Sequence, residues 1–217
     1  MDIAWYGHAA FRLRGREAAV VMDPCSPETG FRLNRPAADI VTVSRAMDAG
    51  HNWTVGVTLE ASTNQRQLDA PGEYEIKRVL ATGVRTPGPE GQRNVSFVVT
   101  IDELIVAHLG DLQGMPERSA LEELQRADVV LMPCGGGKHL TPESAASIAG
   151  AIAAPLVIPM LYQPEGAEEV QTGLEPLSAF LREMGLTVDP PSDNHINVTR
   201  SSIPTAPTVA PLLARGA

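Results

Sequence analysis

Histidine is scarce in this chain of 217 residues, and its few histidines are scattered. The sequence contains only His8, His51, His108, His139 and His195. The closely spaced metal-binding motifs HxH and HExxH are therefore absent. A metal site would have to assemble from distant segments, because no local cluster of ligands is present.

Cysteine and several catalytic motifs are also lacking. The two cysteines, Cys25 and Cys134, lie far apart, and no CxxC is present, which excludes zinc ribbons and thioredoxin-type motifs. One disulfide is arithmetically possible, but two buried thiols are favoured in a cytosolic protein. The absence of GxSxG argues against an α/β-hydrolase serine site, and neither GxGxxG nor a P-loop occurs.

Long apolar runs and positive net charge are missing as well. No stretch is long enough to span a bilayer, and the N-terminus lacks the features of a signal peptide, so we expect a cytoplasmic protein with no membrane partner. The net charge of −9 disfavours binding to nucleic acid or to anionic membranes. The composition, 43% hydrophobic and 20% charged, is that of an ordinary globular protein.

The order of predicted elements indicates an α/β protein. Short apolar runs predict strands up to about residue 108, including one long strand over residues 74–84. Strands then alternate with helices over residues 116–126, from the N-cap Thr141 to about residue 153, and over residues 174–184. We expect one domain over residues 1–200. The Pro- and Ala-rich tail, 201–217, is expected to hold at most one weak strand or to be partly disordered.

Several strand ends carry residues that suit a functional site. His8 lies in a tight turn from which it could reach a site, although a hairpin histidine with a backbone hydrogen bond is the favoured interpretation. Asp23 could support a site or cap a turn, and the turn is favoured. Asp111 follows the strand that ends at His108 and suits a metal ligand or a general base. Gly135–Gly137 could bind an anion through backbone N–H groups, but a simple chain reversal is favoured.

Seven segments in this order resemble the metallo-β-lactamase superfamily. They are WYGHAAFRL from Trp5, Asp23-Pro24, ADIVTVS from Ala38, PGEYEI from Pro71, AHLGDL from Ala107, PCGGG from Pro133 and VIPM from Val157. The branch they resemble comprises short bacterial metal-dependent hydrolases similar to the L-ascorbate-6-phosphate lactonases. The resemblance covers residues 1–200. It implies a four-layer αβ/βα sandwich, in which two mixed β-sheets are flanked by helices and the site lies at one sheet edge.

The same resemblance indicates a degenerate metal site. In active relatives the loop that follows the ADIVTVS strand reads His-x-His-x-Asp-His and supplies most of the zinc ligands. Here Arg45 and Met47 stand at two histidine positions, Ala49 at the aspartate position and Gly50 at the last histidine position. A one-residue insertion would bring His51 to that last position.

Other ligand positions also differ. Leu161 stands where relatives carry a metal-binding histidine, whereas Asp111 matches the metal-bridging carboxylate. His8 and His108 match the pattern of the branch as neighbours of the site. Asp111 and His51, with or without His108, would hold one metal ion at best.

Two hypotheses follow from the resemblance. The favoured one is a metallo-β-lactamase-fold protein that has lost most metal ligands, holds no tightly bound metal, and is inactive or altered in function. In it, the residual site of His8, Arg45, His51, His108 and Asp111 could bind a small anionic ligand through Arg45. The alternative is a mononuclear hydrolase of a small phosphorylated or lactone-like substrate, with one Zn or Mn on Asp111 and His51. The oligomeric state is not predicted.

Overall fold

The structure is a computed structural model that describes residues 1–59, 67–165 and 173–215. Fifteen strands are found in these ranges: β1 (Asp2–Gly7), β2 (Ala10–Arg14), β3 (Ala19–Met22), β4 (Ala37–Ala38), β5 (Ile40–Thr42), β6 (Thr58–Leu59), β7 (Gln67–Leu68), β8 (Gly72–Ile76), β9 (Val79–Pro87), β10 (Arg93–Ile101), β11 (Leu104–His108), β12 (Val129–Pro133), β13 (Leu156–Met160), β14 (His195–Asn197) and β15 (Thr208–Val209). The α-helices are α1 (Arg118–Leu124), α2 (Pro142–Ile152) and α3 (Leu177–Met184).

Two mixed β-sheets dominate the architecture, as the fold class predicted from the resemblance requires. The first has the order β14-β1-β2-β3-β5-β7, and the second has the order β15-β13-β12-β11-β10-β9-β8. β4 and β6 form a separate parallel pair. The second sheet is parallel from β11 through β13 to β15, where strands alternate with helices in sequence, and antiparallel from β8 to β11.

The helix signals in the sequence are found in the structure. The side chain of Thr141 accepts a hydrogen bond from the backbone N–H of Ser144, and Pro142 occupies the first turn of α2. α3 ends at Gly185, which adopts the left-handed conformation with φ 65°. Both helix ends follow from local chemistry, which explains why the sequence predicts them.

The single long strand predicted over residues 74–84 is wrong. The chain reverses at Lys77 and Arg78, so β8 and β9 form an antiparallel hairpin. Both residues have positive φ values, 48° and 62°, as the two central residues of a type I′ β-turn do. Turns of this type commonly join the two strands of a β-hairpin. Neither glycine nor asparagine marks this turn, and the alternating pattern continues through it, so no break signal is present in the sequence.

The main hydrophobic core contains the apolar faces of both sheets. From the first sheet it contains Ile3, Trp5 and Phe11, and from the second it contains Phe97 and Val106, all essentially buried. The ring of Trp5 also stacks on that of Tyr162, which follows β13, with 5.3 Å between centroids. Burial of this size is the main stabilising contribution to the fold and fixes the two sheets against each other.

Within each sheet, several strands run in the same direction and end at the same edge of that sheet. In the first sheet β1, β3 and β5 run in the same direction, since β2 is antiparallel to both β1 and β3 while β3 and β5 are parallel. In the second sheet β11, β12 and β13 are parallel. The segments that follow these six strands therefore emerge at two sheet edges, and the contacts described below bring these edges together.

Candidate functional site

The polar residues of the site lie at these carboxyl ends of strands. His8 follows β1, Asp23 follows β3, and Arg45 and His51 lie in the loop after β5. From the second sheet, Asp111 follows β11. His8, Asp23 and Leu161, which follows β13, adopt left-handed conformations with φ values of 50°, 43° and 55°. Such conformations are unusual for residues other than glycine and are concentrated at functional sites.

Asp23 and His51 form a buried carboxylate–imidazole pair. Nδ1 of His51 lies 2.7 Å from Oδ2 of Asp23, and Asp23 also accepts hydrogen bonds from the backbone N–H and the hydroxyl of Ser44. Nε2 of His51 is buried and has no hydrogen-bond partner among the residues that the structure describes. The interpretation of Asp23 as a turn residue was therefore wrong, because its carboxylate orients His51 from the interior of the protein.

Arg45 forms a salt bridge with Asp111. Nη1 of Arg45 lies 2.7 Å from Oδ2 of Asp111 and 3.7 Å from Oδ2 of Asp48. Nη2 donates to the side-chain oxygen of the exposed Gln92 at 3.0 Å. The side chain of Arg45 is 13% exposed and that of Asp111 is 3% exposed. The guanidinium therefore lies between two carboxylates at the mouth of the site.

The other oxygen of Asp111 is also engaged. Nδ1 of His139 lies 2.7 Å from Oδ1 of Asp111, and the side-chain amide of Gln113 donates to the same oxygen at 3.1 Å. The backbone N–H of Asp111 donates to Oδ1 of the buried Asn94. Asp111 is therefore fixed from three directions, and its position relative to Arg45 is well defined.

His8 and His108 are part of the site in different ways. The ring of His8 packs edge-on against those of His51 and His139, with centroids 5.0 and 5.9 Å away. Its Nδ1 is buried, and no atom of the described part of the chain is hydrogen-bonded to it. His108 donates from Nε2 to the carbonyl of Ala9 at 2.8 Å and accepts at Nδ1 from the backbone N–H of Gly110. His108 thus supports the backbone beside the site, with Nδ1 4.0 Å from Asp23.

The pKa values at the site reflect burial opposed by ion pairing. Burial by itself would raise the pKa of Asp111, but His139 and Arg45 outweigh it, so the pKa is strongly lowered. Burial would likewise lower the pKa of His51, but the charge and hydrogen bond of Asp23 raise it. The pKa of His8 is lowered well below its usual value by burial, and then by His51 and His139.

Three other positions of the loop after β5 correspond to metal ligands in the resembled family, and these are Met47, Ala49 and Gly50. Met47 and Ala49 are exposed, Met47 almost completely. A Cβ atom at Gly50 would lie 3.0 Å from the His8 ring and 3.1 Å from a carboxylate oxygen of Asp48, so a larger side chain there would require these two side chains to shift. Leu161 is buried and belongs to the main hydrophobic core.

The donor set can be tested against the metal centre that a hydrolase of this kind would need. Within the described ranges, one group of potential ligands comes together, comprising Asp48, His51 and Asp111 with ligand atoms no more than 4.8 Å apart. A catalytic zinc ion requires about three protein ligands, and a dinuclear centre requires more. The guanidinium of Arg45 contacts both carboxylates of the group. These residues do not fit a dinuclear centre, and a single ion would compete with Arg45 for its ligands.

Sequence reasoning missed His139 and gave no role to Asp48, Asn94 or Gln92. His139 follows a run of three glycines after β12, and its position after the carboxyl end of a parallel strand was the available signal. The glycines reverse the chain as expected. At Gly135 a Cβ atom would lie 2.1 Å from the carbonyl oxygen of Leu161, so only glycine permits this close approach of two backbones.

Comparison with known proteins agrees with this fold. The family model described as "Beta-lactamase superfamily domain" matches residues 2–161. The chain belongs to the metallo-β-lactamase superfamily. It is 33% identical over 190 residues to a UPF0173 metal-dependent hydrolase of Methanoculleus marisnigri, which covers 75% of this chain and 81% of that relative. This degree of identity also places the chain in the UPF0173 family.

Solved structures share the fold of this chain. A structure described as a Zn-dependent hydrolase from Thermotoga maritima is 29% identical, with a TM-score of 0.76 and coverage of 97% of both chains. A metallo hydrolase of Ignicoccus hospitalis has a TM-score of 0.66 at 14% identity, covering 91% of this chain and 99% of that one, and indicates the fold alone. No helix in the described ranges is long and apolar enough to cross a membrane.

Proposed function

We propose that Arg45 takes the place of the metal centre in this member of a metal-dependent hydrolase family. In this proposal, the chain does not hydrolyse substrates through a tightly bound metal, and the site binds a small anion. The single observation that carries the proposal is the distance of 2.7 Å between Nη1 of Arg45 and Oδ2 of Asp111. Asp111 is the one residue of the family's ligand pattern that this chain matches directly.

The physical basis is competition between two cations for the same carboxylate. A guanidinium remains charged at every accessible pH, so it neutralises Asp111 permanently and repels a divalent ion placed beside it. The second carboxylate of the group, that of Asp48, lies 3.7 Å from the same Nη1 atom. A metal ion would have to displace Arg45 from both carboxylates.

Nη2 of Arg45, the guanidinium nitrogen that contacts Gln92, could bind the anion that we propose. Nη2 of Arg45 faces the side-chain oxygen of Gln92, which is neutral and belongs to an exposed residue. A carboxylate or phosphate oxygen could replace this amide oxygen and make a stronger, charge-assisted hydrogen bond. The same exchange would leave the inner salt bridge to Asp111 intact.

Two measurements test this function. After incubation with zinc and manganese followed by dialysis, the wild-type chain is expected to retain well under one equivalent of metal. Inorganic phosphate is expected to raise the melting temperature of the wild type and of the control variant Arg118→Met, whose side chain is 93% exposed. Phosphate is expected to leave the melting temperature of Arg45→Met unchanged. One or more retained equivalents would overturn the metal part, and an equal phosphate effect on all three proteins would overturn the anion part.

A second candidate is a mononuclear hydrolase of a lactone-like or small phosphorylated substrate. The group of Asp48, His51 and Asp111 favours it, because their ligand atoms lie within 4.8 Å of one another. One Zn or Mn ion would occupy the group, and Arg45 would then have to move. Lactonase activity would follow the family resemblance. The candidate fails if Asp111→Ala leaves both the metal content and the hydrolysis of lactone and phosphate ester panels unchanged.

A further inference from the structure

We infer that the cavity between α3 and the C-terminal segment binds a small apolar amine, with the ammonium group at Glu165 and Tyr162 and the hydrocarbon part on the leucines of α3. The cavity has a volume of about 700 Å³ and is lined by residues 162–165, 177–191 and 212–214 in part. None of the residues of the candidate functional site lines it. The inference therefore does not depend on the function proposed for Arg45.

The walls of this cavity are mostly hydrocarbon. Leu177 and Leu181 of α3 are four residues apart, so their side chains share one face of the helix, and Leu186 and Val188 follow the helix. All four are partly buried and pack against the main hydrophobic core, whereas Leu213 of the C-terminal segment is 45% exposed. A cleft of roughly 300–1,000 Å³ with apolar walls and a few polar groups is typical of a small-molecule site.

Tyr162 and Glu165 supply the cavity with hydrogen-bond acceptors. The side chain of Tyr162 is buried, and its hydroxyl donates to the carbonyl of Leu212 over a long 3.5 Å. Within the described part of the chain, the hydroxyl oxygen accepts no hydrogen bond. Burial raises the pKa of Tyr162 most, and the nearby Cys134 and Glu165 raise it further, so the Glu165 carboxylate lies close to the phenol. An ammonium group, which has three donors and no acceptor, matches these oxygens.

The charges at the cavity favour a cation over an anion. Glu165 and Asp189 are exposed carboxylates, and neither forms an ion pair within the residues that the structure describes. Arg182 is the one cation among the described lining residues, and its Nε lies 3.4 Å from Oε1 of the neighbouring Glu183. A ligand with a carboxylate would add to uncompensated negative charge, whereas an ammonium group would reduce it.

Fluorescence titration with octylamine tests the inference. The ring of Trp5 stacks on that of Tyr162 with 5.3 Å between centroids, so occupation of the cavity should change the emission of Trp5. Trp53→Phe removes the other tryptophan of the chain and is the background for every measurement. Octylamine is a cation at pH 7, and it is expected to bind about fivefold to tenfold more tightly than the neutral 1-octanol. Octanoate is expected to bind more weakly than either.

Variants on the polar and apolar sides of the cavity separate charge from burial. Glu165→Gln is expected to weaken octylamine binding by about fivefold to tenfold and to leave 1-octanol binding unchanged. The matched control is Glu75→Gln, an exposed glutamate of β8 at the other edge of the second sheet, and it should change neither affinity. Leu213→Ser is expected to weaken the binding of both probes.

Three results would overturn the inference. Absence of octylamine binding in both fluorescence and titration calorimetry would refute the site. Equal affinities for octylamine and 1-octanol, or an equal effect of Glu165→Gln on both, would refute the amine as its ligand. A dimer in analytical ultracentrifugation that Leu213→Ser dissociates would assign the cavity to a second copy of the chain.

Discussion

Nη1 of Arg45 and Oδ2 of Asp111 lie 2.7 Å apart and join the two sheets at their common edge. Arg45 comes from the loop after β5 of the first sheet, and Asp111 follows β11 of the second. The pair therefore has a structural role as well as a chemical one, because it links loops that are 66 positions apart in the chain.

Loss of either partner of this pair is expected to destabilise the fold. Asp111→Asn leaves a guanidinium without its main counter-ion, and Arg45→Met leaves a largely buried carboxylate without its salt-bridge partner. Each change should cost about 2–4 kcal/mol of the free energy of unfolding. A double-mutant cycle by urea denaturation should give a coupling of about 1–3 kcal/mol. Additive effects of the two changes would contradict the salt bridge.

Gly110 is expected to tolerate no side chain. It has φ 62°, and a Cβ atom there would lie 2.4 Å from Cβ of Ser44 and 2.6 Å from Oδ1 of Asn94. Gly110→Ala should cost about 2–5 kcal/mol, because it combines backbone strain with overpacking. The matched control is Gly114→Ala, where a Cβ atom would lie more than 4 Å from the described residues beyond its two chain neighbours, and it should change stability by under about 0.5 kcal/mol. Similar melting temperatures for the two variants would show that the loops around Gly110 can shift to accept a Cβ atom.

Asn94 is expected to position Asp111 through its buried amide. Its Nδ2 donates to Thr86 and to the carbonyl of Leu109, both at 2.8 Å, and its Oδ1 accepts from the backbone N–H of Asp111. Asn94→Ala leaves these groups short of partners and should cost about 2–3 kcal/mol in chemical denaturation. The exposed Asn197→Ala is the control and should be close to neutral. Equal effects would show that the amide network contributes little.

Stability is expected to fall as the pH drops below about 6.5, partly through His8. The pKa of His8 is lowered in the fold by burial, then by His51 and His139, with Asp111 opposing and Lys138 adding to the decrease. The unfolded chain therefore binds a proton that the folded chain does not. The free energy of unfolding therefore has its full value above the pKa of His8 in the unfolded chain. Below that pKa it decreases by up to about 1.4 kcal/mol per pH unit for each such proton.

His8→Asn provides the check on this pH dependence. Asparagine tolerates the left-handed backbone at this position and does not titrate. The slope of unfolding free energy against pH between about 5 and 6.5 should decrease in the variant without vanishing, because the pKa of His108 is also lowered by burial. An unchanged slope would mean that His8 does not titrate as its environment requires.

The sequence was sufficient for the fold and for part of the site. Local signals identified α2 through Thr141 and Pro142, and the segment order identified the superfamily. Asp111 was a candidate because it follows a strand and matches the resembled carboxylate, and His51 was a candidate because a one-residue insertion would bring it to the last histidine position. The resemblance carried this information, since no local motif did.

The rest of the site depends on contacts between distant segments. Asp23 and His139 are each 28 positions from their partners, His51 and Asp111. An aspartate before a proline, such as Asp23, is also common in turns, and a histidine after glycines, such as His139, is also common in surface loops. Neither of the two pairs could therefore be derived from sequence spacing. The position of Arg45 between two carboxylates likewise required the three-dimensional arrangement.

Anomalous diffraction distinguishes a guanidinium from a metal ion beside Asp111. Crystals of the wild-type chain grown with excess zinc would be measured at the zinc absorption edge. We expect density for the Arg45 side chain on Asp111 and no anomalous peak between Asp48, His51 and Asp111. A zinc peak bonded to Asp111, with Arg45 displaced, would contradict it.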